Sequence, residues 1–373
     1  MSARVYMNFV SGAPVGSTST TISKGFLVNT VAAGSSEQAI LRTLKFFKKL
    51  GLGTVTALDS GGFQIFQAEI GKIDFTIIYD PSLPMVFGHY LNITPRHCLH
   101  TALGTHPNIM FSLDYPVPKE HNKGRQNILF MRNNTFNVRC AREIAAMRDK
   151  FCPEIKFFIP LQLYDLDQFD YFMACLGNIN FDGLSLPIRI FTLEKITIFL
   201  MKFINMGIKQ AHILGTTRFD VLALLSYFAR NYYDFLSVDS TSWRKFATVQ
   251  VYLRPYSLTS LRLHDEAIID VSDVNQCECP WCRGKSFSDI KHMFNSDKTM
   301  FLCAHNLWVT EQAMRAFYDH AETPGSLRDF LISKTSRFAD INRIYKCLST
   351  IHAARNIITD DYLKILFRQM CEK

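Results

Sequence analysis

The sequence lacks the features of membrane-spanning, secreted and disordered chains. Its longest apolar run, residues 196–203, contains Lys202 and is too short to cross a bilayer. The first residues do not have the basic and then apolar layout of a signal peptide. There is no internal repeat, no long linker and no composition typical of disorder. These absences predict a folded protein of the cytoplasm that makes no contact with a membrane.

A disulfide framework is also not expected, although the chain has ten cysteines. Most are scattered, and three are packed into the stretch Cys277-Glu-Cys279-Pro-Trp-Cys282. In a long chain without a secretion signal, this spacing indicates a metal site in a reducing compartment. Zn²⁺ takes four ligands in a tetrahedron, so a fourth ligand has to come from further along the chain. The candidates are His292, Cys303 and His305.

The chain is long enough to bury a large core. Its 373 residues are 48% hydrophobic, which suits either one large barrel or two domains. The net charge is +8, from 41 Lys and Arg against 33 Asp and Glu. This excess is compatible with a polyanionic partner, although many enzymes without one carry as much.

Strand-like and helical segments alternate along most of the chain. Buried strands are predicted at residues 5–10, 55–58, 73–79, 108–113, 156–161, 181–186, 211–214 and 234–238. Helices are predicted at residues 35–50, 94–103, 134–150, 166–176, 192–206 and 218–230. Repeated strand–helix units, with a polar or glycine residue after each strand, predict an α/β fold, namely a (β/α)₈ TIM-type barrel of roughly 250 residues.

The pattern changes after residue 245. One more strand is predicted at residues 248–253, the cysteine cluster follows, and helical periodicity resumes from His305. We therefore predict three parts: a barrel core at residues 1–255, a zinc-binding subdomain inserted on the barrel at residues 256–310, and C-terminal helices at residues 311–373.

Residues 57–66, Ala-Leu-Asp-Ser-Gly-Gly-Phe-Gln-Ile-Phe, carry the most specific local signal. A short buried strand leads Asp59 and Ser60 into a turn that Gly61 and Gly62 permit, because glycine adopts positive φ without steric cost. Barrels of this class place their chemistry at the C-terminal ends of the strands. A strand-ending turn without function is the plainer interpretation of such a stretch.

Aspartates follow three of the predicted strands, at Asp59, Asp114 and Asp239. In a barrel all three would face one mouth. A glycosidic exchange with retention needs one carboxylate as the nucleophile and a second group that donates and accepts a proton. Each aspartate alone could instead be a helix cap or a turn residue. The presence of Asp59 together with Asp239 favours the catalytic interpretation.

The string Asp-Ser-Gly-Gly-Phe-Gln at residues 59–64 resembles the signature of the tRNA-guanine transglycosylase family, and the resemblance extends over roughly residues 30–320. The family also carries three cysteines in the spacing seen here, followed by a His-Asn-Leu run that residues 305–307 match. The resemblance implies a zinc ion that is structural, because four protein ligands leave no open position. Its expected ligands are Cys277, Cys279, Cys282 and His305, with Cys303 as the alternative to His305.

The resemblance also implies roles for side chains at the barrel mouth. Asp239 matches the family's nucleophile and Asp59 its general acid/base. Asp114 and Gln162 match residues that contact the guanine edge. The other residues expected to bind substrate are Ser60, Gly61, Phe63, Gly183, Trp243 and Arg244. At residues 183–189 this chain has Gly-Leu-Ser-Leu-Pro-Ile-Arg, where the family has a glycine-rich turn whose amides contact the base.

Residues 240–245, Ser-Thr-Ser-Trp-Arg-Lys, stand where the bacterial tRNA enzymes have an anticodon-reading run. Together with the lack of a recognisable C-terminal RNA-binding domain, this run resembles the DNA-modifying branch of the family, the DpdA proteins of bacteria and phages. Those proteins exchange guanine in DNA for a 7-deazaguanine such as preQ0. The resemblance implies that DNA, with its target nucleotide flipped or single-stranded, and a free 7-deazaguanine are the partners, in the cytoplasm of a bacterium or of a phage-infected host.

The same run predicts contacts to the nucleic acid. Trp243 is expected to stack on a splayed base, and Arg244 with Lys245 to hold phosphates. Arg189 is a further candidate for the basic surface. The alternative for Trp243 is packing underneath the barrel, with the two cations solvated.

Three other functions stay open. The first is the same base exchange on tRNA. The second is a non-catalytic partner subunit that binds RNA, which would not need both Asp59 and Asp239. The third is a hydrolase that releases a deazaguanine from a nucleoside, for which a small closed pocket without a basic rim would be expected. The expected oligomeric state is either a monomer or a symmetric homodimer.

Overall fold

Eight parallel strands close into a barrel in the computed structural model of the chain. The structure describes residues 4–11, 23–50, 53–120, 122–188, 191–264, 271–334, 341–354 and 358–371. The strands in these ranges are β1 (Val5–Ser11), β2 (Gly25–Asn29), β3 (Val55–Asp59), β4 (Thr76–Ile78), β5 (Val86–Phe87), β6 (Tyr90–Asn92), β7 (Ile109–Phe111), β8 (Lys156–Pro160), β9 (Gly183–Pro187), β10 (Gln210–Leu214), β11 (Phe235–Ser240), β12 (Val251–Leu253) and β13 (Ser260–Arg262). The order around the barrel is β1-β11-β10-β9-β8-β7-β3-β2, and β1 closes it by pairing with both β2 and β11. The predicted (β/α)₈ TIM-type barrel is confirmed.

Helices cover the outside of this barrel. They are α1 (Thr30–Gly34), α2 (Glu37–Lys49), α3 (Gly62–Glu69), α4 (Pro95–Thr105), α5 (Lys123–Phe151), α6 (Leu166–Leu176), α7 (Leu193–Asn205), α8 (Phe219–Asn231), α9 (Ser242–Thr248), α10 (Ser272–Asn275), α11 (Phe287–Lys291), α12 (Asn295–His320), α13 (Pro324–Lys334), α14 (Ile341–Ala354) and α15 (Asp360–Cys371). Within the described ranges, none of them is both long and apolar enough to cross a membrane.

Polar side chains at the strand-to-helix junctions fix where the barrel helices begin. The Thr94 hydroxyl accepts a hydrogen bond from the His97 amide, directly before Pro95 in the first turn of α4. The Asp165 carboxylate accepts from the Gln168 amide at the start of α6. Such caps satisfy amides that have no partner within the helix. These two caps therefore fix the starts of α4 and α6.

Large apolar side chains fill the interior of the barrel. The cluster inside consists of Phe9, Leu27, Ala57, Ile109, Phe111, Phe158 and Phe235. Because successive residues of a strand point to opposite faces, the alternate residues pack outward against the helices. The interior is thus a filled core, and the polar side chains are concentrated at its C-terminal end.

Helix α5 begins at Lys123, eleven residues before the predicted start at 134. Its first turns are polar and lack a clear apolar periodicity, which is why the sequence predicts a later start. The polar side chains face inward, where the amides of Gln126 and Asn133 donate to the Pro118 and Pro116 carbonyls. Asn137 exchanges two hydrogen bonds with the Tyr115 backbone. Helix α5 therefore holds the segment that follows β7 and carries Asp114.

Two strand predictions need correction. The barrel strand β2 is missing from the strands that the sequence predicts, because it is short and begins at a glycine. The strand predicted at 73–79 is β4, which pairs with β6 in a small three-stranded sheet outside the barrel. The composition of residues 11–23, rich in Gly, Ser and Thr, predicts a loop, but residues 12–22 lie outside the described residues, and so does Arg189.

The division into three parts stays a prediction, and its two boundaries fall within structural elements. Residue 255 falls between the paired strands β12 and β13, and residue 310 falls inside α12. Helix α12 begins at Asn295, ten residues before the predicted helical region. The C-terminal helices are tied to the barrel, since the buried Lys202 ammonium lies 2.8 Å from Asp170 and 2.7 Å from Asp360 of α15.

Candidate active site and metal centre

Asp59 ends strand β3 at the mouth of the barrel. Its Oδ2 accepts a hydrogen bond of 2.8 Å from the side-chain amide of Asn29, which also donates to the side-chain oxygen of Gln64. The Asp59 side chain is partly buried. Loss of contact with water is the main reason why the pKa of this carboxyl is raised to about 7. The negative charges of Asp114 and Asp239 raise the pKa further. Asp59 is therefore poised to give and take a proton near neutral pH.

Asp114 lies three residues beyond the end of β7 and is buried. The Ser60 hydroxyl donates to Asp114 Oδ1 at 2.6 Å, and the side-chain amide of Gln162 donates to Asp114 Oδ2 at 2.5 Å. Desolvation raises the pKa of Asp114, while these two hydrogen bonds counteract part of the increase. A Cβ atom at Gly62 would collide with this carboxylate and come within 2.6 Å of the Asp114 carbonyl oxygen, so only glycine fits there.

Asp239 is the fifth residue of β11, and its carboxylate is 13% exposed. Its Oδ1 accepts a hydrogen bond of 2.9 Å from the Gly215 amide, and His212 Nε2 lies 3.3 Å from the same oxygen. Gly215 has a φ of +82°, a conformation that favours glycine in the turn after β10. The turn thus directs a backbone amide at the carboxylate.

The structure brings the three predicted aspartates together. Both Asp114 and Asp239 are close enough to Asp59 for their charges to influence its pKa. All three lie at the C-terminal end of the barrel, where the strand-to-helix connections meet. Carboxylates gathered in this way can divide the tasks of nucleophile, proton carrier and hydrogen-bond partner.

Other predicted substrate residues also lie at this mouth. Ser60 is buried under Asp114, and Gly61 has a φ of +92° at the start of α3. Phe63, in the first turn of α3, is 47% exposed. Gln162 follows β8 by two residues and is partly buried. Ser60 and Gln162 contact Asp114, while Gly61 and Phe63 belong to the turn and helix that follow Asp59.

Two predictions for the substrate site are wrong. Gly183 is the first residue of β9, at the end of the barrel opposite the aspartates, where a Cβ would press on the Gln210 carbonyl. Trp243 is only 2% exposed, and its indole N–H donates to the Ser240 carbonyl at 3.0 Å. Its ring packs with Val10, Phe26, Ala304 and Leu307. Packing therefore buries the face that base stacking would require.

Arg244 follows Trp243 on α9 and is exposed, as is Lys245. Because α9 comes directly after β11, both cations lie on the helix that follows the Asp239 strand. Their exposure is compatible with the predicted contact to phosphates.

Sequence reasoning missed three residues of this site: Asn29, His212 and Gly215. Asn29 is paired in register with Asp59, and His212 is paired with Ser237 on β11. A polar residue within an apolar strand was the available signal, in Phe-Leu-Val-Asn for β2 and in Ala-His-Ile-Leu for β10. Which side chains Asn29 and His212 contact depends on the order of the strands in the barrel, which the sequence alone does not give.

The cysteine cluster forms a compact, buried group with His305. The ligand atoms of Cys277, Cys279, Cys282 and His305 all lie within 4.8 Å of one another, so the group could bind a metal ion. The two competing ligands are placed elsewhere. His292 is exposed and its Nδ1 contacts the Ser288 carbonyl, and Cys303 is not part of the group.

His305 is oriented for coordination through Nδ1. Its Nε2 lies 2.7 Å from the Leu253 carbonyl oxygen, which fixes the proton on Nε2 and leaves the Nδ1 lone pair directed at the thiols. The Tyr252 ring stacks on the imidazole with 3.8 Å between the ring centres. The next residue, Asn306, accepts from the Leu253 amide and donates to the Val251 carbonyl. The ligand-bearing helix is thus fastened to β12.

We expect Asp59→Asn to stabilise the protein at alkaline pH. The folded-state pKa of about 7 exceeds the value of about 4 in an unfolded chain, so the folded wild type holds this proton more tightly. Wild type therefore loses stability as the pH rises from about 4 to about 7, whereas the asparagine has no proton to lose. Denaturant titrations across that pH window should show the stability difference widening by a few kcal/mol, at about 1.4 kcal/mol per pH unit, and then levelling off. A difference that stays constant with pH would contradict the raised pKa.

No protein-family model matches the chain, and neither does any curated protein. A function for this protein must therefore be argued from its sequence motifs and from the side chains at the barrel mouth.

Proposed function

We propose that this protein is a guanine transglycosylase that exchanges guanine in DNA for a 7-deazaguanine through a covalent intermediate. The observation that carries the proposal is the meeting of Asp59, Asp114 and Asp239 at one barrel mouth. The sequence resemblance assigns a different role to each of these aspartates. Carboxylates at this mouth support the proposal because the reaction needs a nucleophile, a proton carrier and a group that recognises the base.

In the first step, a carboxylate oxygen of Asp239 attacks C1′ of the target nucleotide. The bond from C1′ to N9 of guanine breaks as the bond to Asp239 forms, and Asp59 gives its proton to the departing base. A pKa near 7 suits this task, because the acid is protonated in a useful fraction and still gives up its proton readily.

In the second step, N9 of the incoming 7-deazaguanine attacks C1′. The bond from C1′ to Asp239 breaks, its electron pair returns to the carboxylate, and Asp59 takes the proton from N9. Two successive inversions retain the configuration at C1′. Asp59 ends the cycle protonated, as it began.

Asp114 and Gln162 are suited to recognise the base. Guanine presents an N1–H and an N2 amine as donors beside its O6 acceptor. A carboxylate with a neighbouring amide complements that pattern, and the hydrogen bonds from Ser60 and Gln162 hold Asp114 in one orientation. Both incoming and outgoing bases carry this edge, so one set of side chains would serve both steps.

DNA is the substrate favoured by the sequence resemblance, and the surface beside the mouth is compatible with it. Arg244 and Lys245 are exposed on α9, and the chain has a net charge of +8. A nucleotide in duplex DNA would have to leave the stack, which costs a few kcal/mol, and phosphate contacts on either side would offset part of that cost.

We further propose that the cysteine cluster binds zinc in a structural role. Two ligands of a tetrahedral Zn²⁺, one thiolate and one imidazole, are separated by about 3.6 Å. His305 Nδ1 lies 3.7, 3.4 and 3.3 Å from the sulfur atoms of Cys277, Cys279 and Cys282. Four protein ligands leave no open position, so the ion would support the fold and take no part in the chemistry.

Cys279→Ala should lower metal content and stability together, because three ligands hold the ion more weakly than four. Cys303→Ala is the matched control, since Cys303 is partly buried nearby but does not belong to the ligand group. Metal content by mass spectrometry and thermal unfolding measure the two effects. A zinc-free Cys279→Ala variant with wild-type stability would contradict the structural role.

Base exchange is tested by supplying radiolabelled preQ0 with DNA and with bulk tRNA in parallel. We expect label in DNA with wild type and none with Asp239→Ala, because the variant has no nucleophile. Asp234→Ala is the matched control: this exposed aspartate stands directly before β11, at the opposite end of the barrel, and its loss should leave exchange intact.

Label in tRNA alone would support base exchange but show that tRNA, and not DNA, is the substrate. If neither nucleic acid is labelled and free base is released from a nucleoside, the protein would be a hydrolase and not a transferase. Label with Asp239→Ala equal to wild type would assign the nucleophile to another residue.

A further inference from the structure

A histidine lies inside the barrel directly next to the proposed nucleophile. His212, on β10, is fully buried. Its Nε2 is 3.3 Å from Asp239 Oδ1, and its Nδ1 is 2.9 Å from the Ser237 hydroxyl. Ser237 and Asp239 are alternate residues of β11 and therefore point to the same side of that strand.

The surroundings of this imidazole allow few alternatives for its hydrogen bonds. Phe111 and Phe9 pack against the ring, with ring centres 4.9 and 5.7 Å away. Buried polar atoms are almost always paired, and in this apolar core Asp239 is the polar group next to Nε2. The imidazole is thus confined between one hydroxyl and one carboxylate.

The two partners determine which nitrogen carries the proton. A neutral imidazole donates through one nitrogen and accepts through the other, and a carboxylate can only accept. Nε2 therefore carries the hydrogen and donates towards Asp239, while the Ser237 hydroxyl donates to Nδ1. In the structure this contact is 3.3 Å long and does not reach hydrogen-bond geometry, so Nε2 is a buried polar atom without a hydrogen-bond partner among the described residues. Such contacts are often long or poorly aligned before substrate binds, and we expect this one to tighten in the complex.

These contacts make the two oxygens of Asp239 unequal. Oδ1 is approached by two donors, the Gly215 amide at 2.9 Å and His212 Nε2. Oδ2 accepts no hydrogen bond from the described part of the chain. Oδ2 is accordingly the oxygen available to attack C1′, and Oδ1 becomes the carbonyl oxygen of the glycosyl ester.

We propose that His212 is a positioning residue for Asp239 and that its Nε2–H promotes the second step of the exchange. The inference rests on the proposed function. When the bond from C1′ to Oδ2 breaks, its electron pair returns to the carboxylate and Oδ1 regains negative charge. Hydrogen bonds to a charged oxygen are stronger than those to an ester carbonyl, so the donor stabilises the transition state more than the covalent intermediate.

A pair of substitutions separates this role from simple packing. Glutamine can place its amide nitrogen near the position of Nε2, whereas asparagine reaches only as far as Nδ1. His212→Gln should therefore keep the donor to Asp239, and His212→Asn should lose it. Ser185→Ala is the matched control, because Ser185 is a buried polar residue paired in register with His212 whose hydroxyl has no hydrogen-bond partner in the described residues.

The measurement follows guanine release and deazaguanine incorporation separately in single turnovers with DNA. For His212→Asn we expect guanine release to persist, incorporation to fall by at least about tenfold, and the covalent enzyme–DNA adduct to accumulate. His212→Gln should recover most of the incorporation rate, and Ser185→Ala should match wild type in both steps.

Two results would overturn the proposal while base exchange stands: incorporation by His212→Asn at the wild-type rate, or equal losses in both steps for both His212 variants together with lower thermal stability. Absence of exchange with wild type would instead overturn the proposed function. The direction of the hydrogen bond is tested without activity by NMR of ¹⁵N-histidine-labelled protein. The signal that disappears in His212→Asn should be that of an Nε2–H tautomer, and an Nδ1–H tautomer would refute the donor role.

Discussion

Three carboxylates crowd the mouth of this barrel, and the electrostatic cost of that arrangement governs the rest of the site. Burial, together with the negative charges of Asp114 and Asp239, raises the pKa of Asp59 to about 7, and burial alone raises the pKa of Asp114. Neighbouring donors offset part of the cost at each carboxylate: Asn29 at Asp59, Ser60 and Gln162 at Asp114, and Gly215 at Asp239. The fold thereby keeps a proton near neutral pH at the place where a departing base would need one.

The cysteine cluster and the barrel mouth are mechanically connected. Helix α9 follows β11 directly, and its buried Trp243 packs against the barrel and against α12. The same α12 carries His305 and Asn306, and the Asn306 amide contacts the carbonyl oxygens of Val251 and Trp243. A metal ion held by His305 would therefore fix α12, and α12 would support the strand that presents Asp239. An ion bound there would thus influence the proposed exchange although it would lie outside the reacting groups.

The sequence predicted the barrel and the aspartates well, because strand ends of a parallel barrel must meet at one mouth. It could not predict Asn29 or His212, whose neighbours depend on which strands are adjacent. It misplaced Trp243 because aromatic side chains beside cations look alike whether they bind bases or fill a core. It also shortened α5, since the polar residues Gln126 and Asn133 hydrogen-bond inward to loop carbonyls and so do not follow an apolar periodicity.

The central claim is that Asp239 becomes covalently attached to the sugar. The most direct measurement incubates wild-type protein with DNA in the absence of an incoming base, quenches it under denaturing conditions and maps the modified peptide by mass spectrometry. The account predicts a glycosyl adduct on the peptide that contains Asp239, formed together with an equal amount of free guanine. Release of guanine without any protein adduct, or an adduct on a different residue, would contradict it.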